Sequence, residues 1–151
     1  MIEIILMTLV LFGMLCIIAT VWLFVDALNA SEANQARIKV LSLGVAVTMW
    51  ISFLIAGYWY LVYYAPDKAI ILKGPWPFAH KFFMEMKEHV VIMLLLLTTF
   101  LPIVAFNNLA ANKAARKVVL WVTGLIGLVA VAMDGAGALI AMGVKVALLP
   151  K

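Results

Sequence analysis

No charged side chain occurs between residues 4 and 25 or between residues 40 and 65, and each run exceeds the roughly 20 residues a helix needs to cross a bilayer. Two further apolar stretches follow, the first opening on a polar turn, so the spans are expected over residues 4–26, 40–65, 78–106 and 118–145. Hydrocarbon offers no partner to a bare N–H or C=O, so runs of this length fold as helices. A composition 68% hydrophobic and 12% charged excludes an ordinary soluble domain, which is about half apolar and a quarter charged. The expectation is an all-α integral membrane protein: one domain over residues 1–151, a four-transmembrane-helix bundle with a short interfacial segment between helices 2 and 3. Met1-Ile2-Glu3 lacks the positive start of a secretory signal, so the first run reads as a retained span.

The connections carry the charge. Asp26 closes the first run, marking the headgroup level or serving as an ion ligand, and Ser31 is placed to cap a short turn before Arg37. The second run ends among Tyr58, Trp59, Tyr60, Tyr63 and Tyr64. Rings with a polar edge gather at a membrane interface, so these read as an interfacial belt, with a quinone or cofactor pocket as the alternative. Pro66-Asp67 is expected to stop the helix, because the residue before a proline is pushed out of the α region. Lys68 and Lys73 then flank an apolar stretch suited to lying in the interface with the lysines reaching water. Pro77 suits the first position of the next helix, where its missing N–H is not needed.

Residues 74–89 hold both histidines of the chain. At 100° per residue Glu85 and His89 stand one turn apart on one face, and His80 points to the opposite side. The Glu85/His89 spacing lets two side chains share a metal ion or a proton, and His89 or His80 is a candidate ligand of haem b. A solvated helix end with local ion pairs to Lys81 and Lys87 explains the same residues without a cofactor. Pro102 is expected to kink the third span. The fourth is rich in glycine and alanine, which permit close helix approach, and carries Asp134 near the middle of its run. A charge there costs about 2.5–3.5 kcal/mol and marks either function or a packing hydrogen bond, with Thr48, Ser52, Thr98 or Thr99 as partner. The sequence places no lysine or arginine at that depth.

Cys16 is alone, so no intrachain disulfide or Cys-x-x-Cys metal knuckle can form. A net charge of +4 rests on eleven Lys and Arg spread over all loops, which reports topology and lipid contact and argues against nucleic acid. Arg37, Lys39, Lys113, Arg116 and Lys117 crowd the two short connections, which are therefore placed in the cytoplasm of a bacterial inner or cell membrane. The segment 67–89 and both termini then face the other side. With no soluble catalytic domain, the expected role is a small multi-pass subunit working beside other membrane subunits in an energy-converting, electron-transfer complex, its aromatic and histidine-bearing end turned to a haem, quinone or cytochrome partner. The alternatives are a small proton- or ion-coupled transporter working through Asp134, or a membrane metal-binding protein using Glu85 and His89. A membrane metalloenzyme using Glu85, Glu88, His89 and Asp134 together is weakened by depth, since His89 at the interface and Asp134 near the midplane should differ by roughly 10 Å. In a Cys16→Ala background, Ala33→Cys and Ala114→Cys should label with impermeant thiol reagents from the cytoplasmic side alone and Ala69→Cys from the opposite side alone. Labelling of Ala33→Cys and Ala114→Cys from opposite faces would break the four-span topology.

Overall fold

A computed structural model describes residues 2–149. The chain folds into four helices long and apolar enough to cross a membrane, with no strand among the described residues. They are α1 (Ile2–Leu28), α2 (Gln35–Lys73), α3 (Glu85–Ala105) and α4 (Lys113–Ala147), and a π-helical segment, Ala79–Met84, runs directly into α3. Successive helices pack side by side, α4 returns to α1, and α2 touches α4 across the diagonal, while α1 and α3 do not meet among the described residues. Large apolar side chains such as Leu61, Leu96, Trp121 and Leu128 cover the outside of all four, as expected where the surroundings are apolar.

Helix α2 departs from the sequence reading. It does not stop at Pro66 but carries the proline inside and continues to Lys73, so Lys68 and Lys73 lie on its last turns and not on an interfacial loop. The reason is packing. Ile71 is fully buried against Tyr64, Ala79, Met84 and Ile140, and that burial outweighs the one hydrogen bond a proline removes. Gly74 ends the helix, its N–H donating to the carbonyls of Ile70 and Ile71 at 3.0 and 3.1 Å. The chain then turns through Pro75 and Pro77, and the Pro77 carbonyl accepts from His80 and Lys81 N–H, so the next helix does start where Pro77 favours it. Pro102 lies inside α3, which runs through it to Ala105.

The end holding the two short connections is tied by hydrogen bonds. The Asp26 carboxylate accepts two bonds from Arg37, from Nε and Nη2, both at 2.6 Å. Asn34 Nδ2 donates to the carbonyls of Asp26 and Asn29, and its Oδ1 accepts from the N–H of Ser31, so Asn34 and not a Ser31 cap organises the turn. Gln35 reaches across the bundle, donating to the Ala105 and Asn107 carbonyls and accepting from Leu109 N–H. Arg116 donates to the carbonyls of Ala27 and Leu28, satisfying the end of α1. Asn112 caps α4 by accepting from Ala115 N–H at 2.9 Å.

Two apolar clusters fill the interior. The larger runs from Ile38, Leu101 and Val119 up to Cys16, Met49, Leu94 and Met133, and the smaller gathers Tyr64, Ile71, Ala79, Met84 and Ile140. At the smaller one α4 comes so close that a Cβ on Gly143 would stand 2.8 Å from the Cβ of Ala79. Gly143→Ala should therefore lower the denaturation midpoint in detergent by the equivalent of about 1–3 kcal/mol, the scale of an overpacked interior. Gly57→Ala, whose Cβ would meet nothing within 4 Å, should leave it unchanged or slightly raised. Equal effects of the two substitutions would deny the close approach.

Candidate functional site

Along the helices, polar and charged side chains stand between the two apolar clusters. By position along the helices, Ser52 on α2 lies between Met49 and Tyr64, Lys87 on α3 between Met84 and Leu94, and Asp134 on α4 between Met133 and Ile140. Glycines make room for the charged groups. A Cβ on Gly13 of α1 would lie 3.5 and 3.7 Å from the two Asp134 carboxylate oxygens, and one on Gly137 would lie 3.0 Å from Lys87 Nζ. Lys87 and Asp134 are close enough for each to feel the other's charge. This corrects the expectation that no lysine or arginine stands at the level of Asp134. The Lys87 ammonium reaches the notch at Gly137.

Asp134 is not tied down by the hydroxyls proposed for it. Thr48 donates to the carbonyls of Gly44 and Val45, Thr98 and Thr99 to that of Leu95, and the Ser52 hydroxyl is buried with no hydrogen-bond partner among the described residues. The carboxylate is instead open to the outside of the bundle, beside the exposed Gly135. Of the two glycines that follow Asp134, Gly135 meets nothing within 4 Å of its Cβ position, and Gly137 adjoins Lys87 of α3.

The histidines occupy different environments. His80 is 5% exposed in the π-helical segment, and its Nδ1 lies 2.9 Å from the hydroxyl of Tyr64, itself 2% exposed. Trp59 and Tyr60 flank Tyr64 with ring centroids at 5.2 and 5.3 Å, the Tyr60 ring stacked. The Trp59 indole nitrogen is buried without a partner among the described residues, and the Glu88 carboxylate lies near the Tyr60 hydroxyl. Tyr64 is thus turned into the bundle, although its neighbours Tyr58 and Leu61 are exposed as an interfacial belt requires.

His89 is exposed on α3, and its Nδ1 is 2.7 Å from the backbone carbonyl of Glu85, not from the Glu85 carboxylate. A ring held through Nδ1–H by a carbonyl presents Nε2 outward, the orientation of many metal-bound histidines. No group of three or more His, Cys, Asp and Glu side chains is gathered among the described residues, so Glu85, Glu88, His89 and Asp134 do not converge on one point. Asp26 is spent on Arg37. Compared with protein-family models, curated proteins and solved structures, the chain matches none of them.

Sequence reasoning singled out Asp134, His80, His89 and Glu85 but did not set Lys87 beside Asp134 or Tyr64 beside His80. The available signal for Lys87 was Gly137, one turn beyond Asp134, a vacancy of side-chain size beside an intramembrane acid. If the two charges interact, Lys87→Met and Asp134→Asn should be non-additive, with a coupling energy of about 0.5–1 kcal/mol in detergent unfolding. Strict additivity would separate them.

Proposed function

We propose that the chain is a four-span integral membrane subunit of a larger membrane assembly, its two short connections on the cytoplasmic side. The observation that carries this reading is the position of Asp134. A carboxylate within the apolar run of α4 and exposed on its outer face is costly against lipid, and Lys87 meets it from one side only. A neighbouring transmembrane segment laid over Asp134 and Gly135 would cover the charge and supply the missing hydrogen bonds. The assembly we have in mind is an energy-converting, electron-transfer complex. Its support is the opposite end of the bundle, where an aromatic cluster surrounds His80 and where His89 presents Nε2 to a haem or metal held with a partner. A second reading is favoured by the Lys87–Asp134 pair itself: two titratable groups facing each other in an apolar setting are suited to exchanging a proton in a coupled transporter.

Purification from native membranes in a mild detergent, followed by a visible spectrum, metal analysis and identification of copurifying proteins, separates these readings. The subunit reading requires a fixed set of membrane partners that Asp134→Leu displaces and Asp134→Asn, which keeps the hydrogen bonding, retains. A wild-type chain that is monomeric and partner-free sinks it. In the haem or metal arm, His89→Ala should remove the cofactor while His80→Ala leaves most of it bound. If the pair carries protons, Asp134→Asn should assemble normally and lose transport.

A further inference from the structure

Tyr64 and His80 form a buried phenol–imidazole pair that neither the Lys87–Asp134 layer nor a ligand role for His89 uses. The phenol oxygen is 2.9 Å from His80 Nδ1, both residues are almost wholly excluded from the surroundings, and the Tyr64 ring is flanked by Trp59 and Tyr60. Neither flanking ring is fully buried, so each leads from the enclosed phenol toward the surface. The π-helical segment presents His80 to Tyr64, and Ile71, Ala79, Met84 and Ile140 close the site in apolar contacts. Glu85 and Glu88 bring negative charge near the imidazole and Lys68 positive charge.

From this arrangement we propose that Tyr64 is a redox-active tyrosine, with His80 the proton acceptor for its oxidation and Trp59 and Tyr60 the path by which the electron leaves. In the state that reacts, His80 carries its proton on Nε2, and Tyr64 O–H donates to Nδ1. One electron passes to a one-electron oxidant, a high-potential metal centre of a partner protein. At the same time the O–H bond breaks and an Nδ1–H bond forms, giving a neutral phenoxyl radical and an imidazolium. A one-electron donor reverses both changes, returning the electron to the ring and the proton to the oxygen. Holding the base at hydrogen-bond distance removes the need to form a phenol radical cation or to release a proton into an apolar interior. Burial keeps reductants and other radicals from the phenoxyl. Because the oxidant is a partner's metal centre, the role rests on the subunit reading, while the pair itself can be oxidised by a reagent in solution and so succeeds or fails on its own.

The full-length protein in lipid nanodiscs is flashed with tris(bipyridine)ruthenium(II) and persulfate, which generate a one-electron oxidant of known potential, and the radical is followed by its phenoxyl absorption and by electron paramagnetic resonance. The wild type should give a long-lived neutral tyrosyl radical formed more slowly in D2O than in H2O. Tyr64→Phe should lose that signal, His80→Gln should lose it while its circular dichroism matches the wild type, and Tyr58→Phe should keep it. A signal of unchanged size and lifetime in either Tyr64→Phe or His80→Gln would overturn the proposal. So would a wild type with no long-lived radical, or one whose radical forms at the same rate in D2O, a test that needs no variant to fold.

Discussion

A charge set among apolar helices must be answered by another group, because neither lipid nor an apolar core supplies one. The chain meets this constraint twice, in different ways. Asp26 sits with 7% of its side chain exposed at the end of α1, and Arg37, 52% exposed, reaches in from the start of α2 with a two-pronged hydrogen bond. That geometry matches the planar guanidinium to the carboxylate and leaves Arg37 partly hydrated, so the burial cost falls on one partner only. Asp134 has no such fork. Its carboxylate rests against Gly13 and feels the charge of Lys87, and its outer side remains open.

The consequence is a bundle with two unlike halves. At the end of the short connections, Asn34, Gln35, Asn112 and Arg116 satisfy carbonyls and N–H groups at the termini of α1, α3 and α4, so the ring α1–α2–α3–α4 is closed by hydrogen bonds that span up to 89 residues of sequence. Beyond the polar layer the order is kept by shape. Gly143 lets α4 lie on Ala79, and the Gly74 position lies so near Ala147 that α2 and α4 end side by side. Tyr64 and His80 occupy the space between these contacts, which is why their geometry depends on glycines far from them in sequence.

The number of helices and their centres were legible because hydrocarbon-length apolar runs leave little alternative to a helix, and the start near Pro77 follows from local chemistry, whereas α4 begins at Lys113, five residues before the apolar run, on the Asn112 cap. The extension of α2 was not. A proline rule concerns its own neighbours, whereas Ile71 is buried by residues on α4 and the π-helical segment, and such long-range packing leaves no mark around Pro66. The π-helical segment was hidden for a related reason: its 79–84 backbone bonds follow a longer register than the 100° count assumes, so the facing of His80 could be read only as a direction away from His89 and not as a contact with Tyr64. Asp134 stood out by polarity alone. Lys87 did not, since a lysine near the start of a span looks like a headgroup anchor until the register of α3 against α4 puts its ammonium beside Gly137.

That asymmetry bears on where another membrane segment would meet this bundle. Around the short connections the buried polar groups already find partners within the chain, and a second protein laid there would gain mainly apolar contact, which lipid supplies equally well. At the level of Asp134 the balance differs. The carboxylate is open and the adjoining Gly135 presents no side chain, so added hydrogen bonds there replace a real deficit. Helices in a bilayer associate through close packing and hydrogen bonds and not through expulsion of water. On the proposed reading, the face of α4 around Asp134 is therefore the one on which a partner helix gains most over lipid, and the hydrogen-bonded end is the part of the bundle that can hold its form alone.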